Sequence, residues 1–350
     1  MSVLSAPAYD SHELVAFHSD DRSGLRAIIA VHNTALGPSV GGCRMFAYPS
    51  DADALHDVLR LSRGMTYKSA LAGLPLGGGK SVIIGDPRRD KTPELLRAMG
   101  DFVQSQGGRY VAAEDSGTGV ADVRIMAERT EWVSGVMDNA HGGDPSPSTA
   151  FGVFLAIKTA IRHRLGADDL RDIRVAIQGL GQVGFQLARH LCQAGAVVYA
   201  TDVAGDNLRR AQQELGVRPV SADAILSVEA DIFAPCAMGA VLNSETIPAL
   251  RCGIVAGAAN NQLASDEDGF ALAERGILYC PDFLINAGGI IDVHYQRSGD
   301  HAQASRAHIG QISATLEQVL ERSDTTGLPT AIVAEQVAES ILQSATSAVF

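Results

Sequence analysis

Apolar and polar positions along the chain follow two different periods. Leu25-Arg26-Ala27-Ile28-Ile29-Ala30-Val31-His32 has the apolar density of a strand, bounded by Ser23-Gly24 and later by Gly37-Pro38. Ala54, Val58, Leu61 and Met65 then step by four, three and four, the spacing of one helix face, with Ser50 and Asp51 as capping candidates. A Gly77-Gly78-Gly79 turn precedes the strand Ser81-Val82-Ile83-Ile84-Gly85. A helix from Pro93 to about Gln106 follows, and then the short strand Tyr110-Val111-Ala112-Ala113, ending at Glu114-Asp115. Gly142-Gly143-Asp144-Pro145-Ser146-Pro147-Ser148 is dense in the residues that punctuate structure and marks a linker. Beyond it the pattern predicts a long helix from near Thr149 to about Leu165. Next come a strand at Val175–Gln178, a helix at Phe185–Ala194 and a strand at Val197–Ala200. Shorter apolar runs recur at 232–234, 254–256 and 277–279. Strands alternating with helices imply an α/β fold with a parallel sheet. A length of 350 residues fits two domains of about 100–200 residues each.

Composition narrows the function classes. The formal net charge is −12, which repels phosphate backbones and anionic membrane surfaces, so neither nucleic acid nor membrane is expected as a partner. The five cysteines, Cys43, Cys192, Cys236, Cys252 and Cys280, form no Cys-x-x-Cys pair. No disulfide framework or metal site is therefore expected, and small buried thiols in a reducing compartment are the simpler reading. Met1–Asp10 lacks a basic segment followed by an apolar run, and no apolar run of about 18 residues occurs, so a cytoplasmic location is expected.

Gly179-Leu180-Gly181-Gln182-Val183-Gly184 is G-x-G-x-x-G, directly after an apolar strand and opening a helix. In that context Gly179 permits the tight turn, Gly181 lets a pyrophosphate approach the backbone, and Gly184 lets helix pack on strand. The helix N-terminus offers free N–H groups to phosphate. Asp202 ends the next strand eighteen positions past Gly184, where a carboxylate bonds ribose hydroxyls and repels a 2′-phosphate. This favours NAD over NADP, although Arg209 and Arg210 lie nearby. The second half thus reads as a Rossmann-type doubly wound parallel sheet.

Three polar residues outside this unit stand out: Lys68, Lys80 and Asp115. Lys80 follows the triple glycine, which clears side chains so that a small substrate can reach it. The run is not a phosphate-binding P-loop, because Leu74 stands where that motif needs glycine. Two lysines close together in a semi-enclosed site raise each other's cost of protonation. One can stay charged and clamp a carboxylate while the other loses its proton and acts as a base. Asp115, at a strand end, can shuttle the proton. Solvated lysines on a helix end and a loop are the bland alternative.

Gly37 to Arg44, Gly64 to Lys68, Gly73 to Lys80, Ala113-Glu114-Asp115, Asp144-Pro145-Ser146-Pro147 and Ala258-Ala259-Asn260-Asn261 occur together and in order. In this combination the chain resembles the Glu/Leu/Phe/Val amino acid dehydrogenase family over nearly its whole length. The resemblance implies an N-terminal α/β substrate-binding and oligomerisation domain over 1–140 and an NAD-binding domain over 149–328. It also implies a C-terminal helix over 329–350 returning to the first domain, and an active site in the cleft between the domains. By the same resemblance Lys68 holds the substrate α-carboxylate, with Gly41 and Gly42 at that end. Lys80 is the catalytic lysine and Asp115 the proton-shuttling acid. Thr149, Asn260 and Asn261 lie near the nicotinamide and the amine, and Gln182, Val183, Cys236 and Ala237 line the dinucleotide.

The implied reaction is reversible NAD-dependent oxidative deamination to a 2-oxo acid, ammonia and NADH, by a homo-oligomer (dimer or higher). Members acting on glutamate carry a lysine just before the Gly-Gly; here Val40 stands there, and a buried carboxylate would have no partner. Val40, Met65, Ala113, Ile290 and Val293 are expected to make a dry pocket for leucine, valine or isoleucine. Members acting on phenylalanine tend to have glycine at the Ala113 position, and an aromatic substrate, phenylalanine or tryptophan, is the alternative. A catalytically silent NAD-binding regulator is a third reading. Asp292 and His294 depart from the usual Asn and Ala. The tail after Thr330, ending Ala348-Val349-Phe350, is shorter than in relatives.

Overall fold

The computed structural model describes residues 2–136, 144–237, 239–298 and 302–347. Gly142-Gly143 of the expected linker and the terminal Ala348-Val349-Phe350 lie outside these residues. The chain divides into two compact units. The first comprises 1–144, 293–301 and 338–350; the second comprises 145–292 and 302–337. Residues 293–301, expected with the dinucleotide domain, therefore cluster with the first unit. Among the described residues no helix is long and apolar enough to cross a membrane.

In the first unit, β1 (Leu14–Asp20), β2 (Leu25–Asn33), β3 (Ser39–Phe46), β4 (Gly77–Ile84) and β5 (Tyr110–Ala113) form one sheet in the order β1-β2-β4-β3-β5. Strands β3, β4 and β5 run parallel, while β2 is antiparallel to both β1 and β4. The sheet is thus mixed rather than wholly parallel. Helix α1 (Asp51–Leu71) is capped by Ser50, whose side chain accepts from the Asp53 amide. It buries Ala54, Val58 and Leu59 against Ile28, Ala30 and Val82 on one sheet face. Helices α2 (Pro93–Gln104) and α3 (Val120–Ala127) cover the other face, where Met99, Phe102, Val103 and Met126 pack with Ile29, Ile83 and Tyr110.

The second unit opens with α4 (Ser146–Leu165), which starts three residues earlier than its pattern indicated and ends at Gly166 in a left-handed turn, φ +63°. It continues through β6 (Arg174–Gln178), α5 (Gln182–Gln193), β7 (Val197–Thr201), α6 (Gly205–Leu215), β8 (Arg218–Pro219), β9 (Ile232–Pro235) and β10 (Ile254–Val255). Then come α7 (Asp266–Glu274), β11 (Leu278–Tyr279), α8 (Asp282–Ile285), α9 (Gly288–Ser298), α10 (Ala302–Ile309), α11 (Gln311–Thr326) and α12 (Thr330–Ser347), the units dividing within α9 and α12. The sheet order is β11-β10-β9-β6-β7-β8, parallel throughout. The chain leaves β6 toward β7 and β8, then returns to β6's other side with β9. The ends of β6 and β9 therefore form a topological switch point, the usual place for a ligand in such sheets.

Two histidines are buried where α1 meets β2. His12 Nε2 lies 3.0 Å from Ser62 Oγ and 3.1 Å from the Leu59 carbonyl, and His32 Nδ1 lies 2.8 Å from Thr66 Oγ1. Burial, then the neighbouring His12, hold the His32 imidazole down to about 4; burial likewise lowers His12. Between about pH 6.5 and 4 the unfolded chain binds protons that the folded protein does not, so stability falls as pH drops through that window. Urea unfolding from pH 7.5 to 4.5 is expected to show a loss of a few kcal/mol, each pH unit of separation being worth about 1.4 kcal/mol. His32→Gln should flatten the dependence; an unchanged slope in that variant would assign it elsewhere.

Candidate active site

Strand alternation sets out the polar site of the first unit. Val40 pairs with Gly78 and Arg44 with Val82 in the parallel β3–β4 register, and Lys80 pairs with Ala30 across β2–β4. Side chains two apart share a face, so Val40, Gly42 and Arg44 point the same way as Gly78, Lys80 and Val82. This is the α1 side. Asp115, just past β5, folds over Gly42: a Cβ there would lie 2.7 Å from Asp115 Cβ and 2.6 Å from the Glu114 carbonyl oxygen. Glycine at 42 is what lets the carboxylate lie between Arg44 and Lys80.

The resulting cluster alternates in charge. Asp115 Oδ2 is ion-paired with Lys80 Nζ, and both side chains are nearly buried, 12% and 8% exposed. Asp115 Oδ1 accepts from the Ser116 amide at 2.6 Å and faces Arg44 Nη2 at 3.6 Å. Arg44 Nη1 in turn donates to Asp57 Oδ2 at 2.9 Å, and the Tyr48 hydroxyl donates to the same oxygen at 2.6 Å. Burial pushes the Asp115 carboxyl up, but Lys80 and Arg44 outweigh it and hold the group down to about 2. Arg44 and Asp57 carry no motif of their own. Arg44 is only the last residue of the Gly37–Arg44 segment, and Asp57 sits on a helix face that looks merely charged.

The triple glycine has a different role from the one its sequence suggested. A Cβ at Gly77 would sit 2.3 Å from the Asn33 carbonyl oxygen, at Gly78 2.0 Å from the Thr66 amide nitrogen, and at Gly79 2.7 Å from Ser39 Oγ. At Gly41 it would sit 1.7 Å from the Gly79 carbonyl oxygen. The glycines are filled from behind by neighbouring backbone and side chains. Gly78 brings the strand onto α1, and the others let it approach Asn33, Ser39 and Tyr110, rather than open a path to the lysine. The contact at Thr66 sets β4 against the last turn of α1, which carries half-buried Met65 and Lys68. Lys68 lies at the helix C-terminus, where the helix dipole favours a cation. From there the chain turns back through Gly73, φ +64°. Beneath the Gly41-Gly42 segment the Tyr110 hydroxyl donates to the Gly41 carbonyl at 2.7 Å and lies 2.9 Å from Ser81 Oγ. Val40 is buried and Ala113 half-buried. Ser134 bonds to the Ala112 carbonyl at 2.8 Å through its amide, and its buried hydroxyl has no partner among the described residues. Its sequence context, Val-Ser-Gly, gives no hint of that position.

The second unit holds the remaining residues except Val293 and His294, which cluster with the first. Gly179 adopts φ +101°, and Cβ atoms at Gly179 and Gly184 would lie 2.8 Å from Ala237 Cβ and 2.0 Å from the Gly179 carbonyl oxygen. A Cβ at Gly181 would meet nothing within 4 Å, leaving open space before the first turn of α5, where Gln182 is exposed and Val183 half-buried. That space fits a diphosphate. Asp202 accepts from the Leu180 amide at 2.6 Å and the Ala204 amide at 2.7 Å, so it also braces the loop. Arg209 is paired with Asp206, and Arg210 with Glu214 while lying 4.0 Å over the Phe185 ring. Burial pushes the Cys236 thiol up to about 12, so it is no nucleophile. Asn260 and Asn261 are held from below: Asn286 Nδ2 donates to Asn260 Oδ1 at 3.0 Å and the Asn261 amide to Asp282 Oδ2 at 2.7 Å. Thr149 packs on Gly289, where a Cβ would come within 2.6 Å of its Oγ1. Ile290, half-buried, and Val293, buried, lie three apart on α9. Asp292 accepts from Ser305 Oγ at 3.2 Å, and the His294 ring meets that of Tyr295 edge-on at 5.4 Å.

A parallel sheet with a dinucleotide-type glycine turn, in a chain whose other unit holds a buried lysine–aspartate pair, defines the class as a nucleotide-dependent dehydrogenase. Comparison with known proteins agrees. The model for "Glu/Leu/Phe/Val dehydrogenase, dimerisation domain" matches residues 12–132, and that for "Glutamate/Leucine/Phenylalanine/Valine dehydrogenase" matches 144–206 and 204–330. A leucine dehydrogenase from Bacillus subtilis (strain 168) is 45% identical over 96% of this chain and 92% of its own length. A phenylalanine dehydrogenase from Caldalkalibacillus thermarum (strain TA2.A1) is 43% identical over 98% and 94%. The crystal structure of L-tryptophan dehydrogenase from Nostoc punctiforme superposes with a TM-score of 0.81 at 40% identity, covering 96% of this chain and 97% of that one. The chain belongs to the Glu/Leu/Phe/Val dehydrogenase family and is an amino acid dehydrogenase.

Gly42→Ala tests the packing directly. A methyl group there displaces Asp115, and a misplacement of about 1 Å costs about 100-fold in rate. Turnover is expected to fall by that order, measured as kcat, with dinucleotide affinity unchanged; wild-type kcat would contradict the geometry.

Proposed function

We propose that the protein catalyses the NAD-dependent, reversible oxidative deamination of a small apolar L-amino acid, with leucine, valine or isoleucine preferred, and that it does so as a homo-oligomer. The observation that carries this reading is the buried Lys80–Asp115 ion pair, a proton donor and acceptor already in contact. When bound, the dinucleotide supplies the acceptor for the hydride that leaves the substrate Cα. Lys68 holds the α-carboxylate as a fixed cation. Lys80 exchanges a proton with Asp115 as water adds to the imino carbon and ammonia departs, so one water is consumed and the 2-oxo acid is released. Thr149, Asn260 and Asn261 orient the nicotinamide and the amine. The match of residues 12–132 to a domain described by its dimerisation supports the oligomer.

NAD is favoured over NADP by Asp202. Its two oxygens accept one amide each, and a carboxylate has about four acceptor sites, which leaves room for ribose hydroxyls and none for a second anion. The nearby Arg209 and Arg210 are already engaged by Asp206 and Glu214. The aliphatic preference rests on Val40 and Ala113. The second reading, an aromatic substrate, is favoured by the similarity to the tryptophan and phenylalanine enzymes.

An NADH-absorbance screen over the common L-amino acids decides. Leucine, valine or isoleucine should give the highest kcat/KM; phenylalanine or tryptophan exceeding them severalfold would transfer the assignment to the aromatic reading, and no turnover at all would leave a silent NAD-binding protein. Lys80→Ala should lose at least about 100-fold in kcat, the scale of a lost acid–base group, with NAD affinity unchanged, and near-normal turnover would remove the mechanism. Asp202→Ala should narrow the NAD-to-NADP preference by about tenfold or more, since charge-assisted hydrogen bonds are worth about 1.5–3 kcal/mol.

A further inference from the structure

Asp115 is ion-paired with Lys80, and the structure holds a second cation, Arg44, beside the same carboxylate. We propose that Arg44, anchored by Asp57 and Tyr48, is a positioning residue for Asp115: it engages Oδ1 so that Oδ2 alone faces Lys80. This rests on the catalytic reading of Asp115 given above. The carboxylate is divided between two sets of partners. Oδ1 has the Ser116 amide at 2.6 Å and Arg44 Nη2 at 3.6 Å; Oδ2 has Lys80. At 3.6 Å the arginine acts through charge rather than through a short hydrogen bond.

Arg44 cannot drift toward Lys80's side. Its Nη1 is tied at 2.9 Å to Asp57 Oδ2, which the Tyr48 hydroxyl also bonds at 2.6 Å, so α1 fixes the guanidinium. Its Nε is buried without an acceptor among the described residues, and the contacts to Asp57 and Asp115 are made by its terminal nitrogens. When Lys80 is neutral, Asp115 would be a lone buried carboxylate, which is strongly disfavoured. It would then keep the proton it must pass on. Arg44 leaves it paired throughout the exchange.

The other groups around Asp115 do not supply such a charge. Cys43 on β3 has its thiol pushed up by burial to about 12, and burial likewise pushes up the Tyr110 and Tyr48 hydroxyls, so all three are neutral. Glu114, next in the chain, is half-buried, is itself pushed up by burial, and has the wrong sign to replace the arginine. Lys80 from β4 is the other cation paired with Asp115.

The test uses the full-length protein and the variants Arg44→Met, Arg44→Lys and Asp57→Asn, with melting temperature and NAD affinity as controls for folding. The pH profile of kcat/KM is measured for each. In parallel, the Asp115 carboxylate is titrated without turnover by infrared difference spectra of each protein against its Asp115→Asn counterpart. Removing a neighbouring cation raises a carboxylate's pKa by about one unit or more. Arg44→Met should therefore move the Asp115 titration and the acid limb upward by that amount, and Arg44→Lys should restore most of it. Asp57→Asn should shift both in the same direction by less, and add nothing to Arg44→Met in the double variant, because it acts through the same group. If Arg44→Met does not fold, Asp57→Asn carries the test alone. An Asp115 titration that stays put in the folded variants, or a loss of rate equal at every pH, overturns the proposal. A wild-type protein that turns over no amino acid but whose Asp115 titration follows Arg44 overturns the catalytic reading and leaves the pairing.

Discussion

A carboxylate buried among strands must be paired, and the pairing of Asp115 organises the first unit. Asp115 leaves β5, Lys80 comes from the middle of β4, and Arg44 comes from β3 between them. That order, β4-β3-β5, is the only feature that brings three residues so far apart in sequence to one place. Each strand must also approach the next without side chains at the crossing. Hence the glycines at 41, 42, 78 and 79, whose missing Cβ positions are occupied by neighbouring atoms. Buried charge is costly unless compensated on every side, and here the compensation runs outward from Lys80 through Asp115 and Arg44 to Asp57 and Tyr48 at the foot of α1. The same helix ends in Lys68. One element thus braces the acid at its start and presents a cation at its finish.

The second unit obeys a looser constraint. Its glycine turn needs only to be tight at Gly179, open at Gly181 and close-packed at Gly184, and all three conditions are met within six consecutive residues. Asp202 braces that loop through two amides while keeping lone pairs to spare. The Asn260-Asn261 turn is likewise held from underneath, by Asn286 and Asp282.

This difference explains what could be read from the chain. The dinucleotide turn is local: strand, glycines, helix and acid lie within about thirty residues, so period and spacing suffice to recognise it. The polar site of the first unit is not local. Lys80 and Asp115 stand out as isolated polar residues, but nothing in spacing says that β3 intervenes. Ser39–Phe46 itself hides as a strand because Gly37-Pro38 and Gly41-Gly42 resemble turn chemistry. The same abundance of glycine suggested a cleared path to the lysine, whereas the space is filled by Thr66, Asn33, Ser39 and Tyr110. Arg44 and Asp57 are illegible for a related reason: a charge on an exposed-looking helix face and a charge at a strand end acquire meaning only when tertiary contacts bury them.

The size of the substrate side chain belongs to a third category. Under the proposed aliphatic reading charge is discriminated strongly, because a substrate carboxylate beside the buried Val40 would have no partner. Volume is discriminated weakly: a methylene more or less against an apolar wall is worth about 1–3 kcal/mol, a difference that one residue such as Ala113 is enough to reverse. Relatives named for leucine, phenylalanine and tryptophan accordingly stand at 40–45% identity to this chain. The Lys80–Asp115 pair, set among backbone crossings that tolerate no Cβ, is hard to change without disturbing the sheet. Val40 and Ala113 carry no charge, so a change in their size leaves the pairing of Asp115 with Lys80 and Arg44 in place.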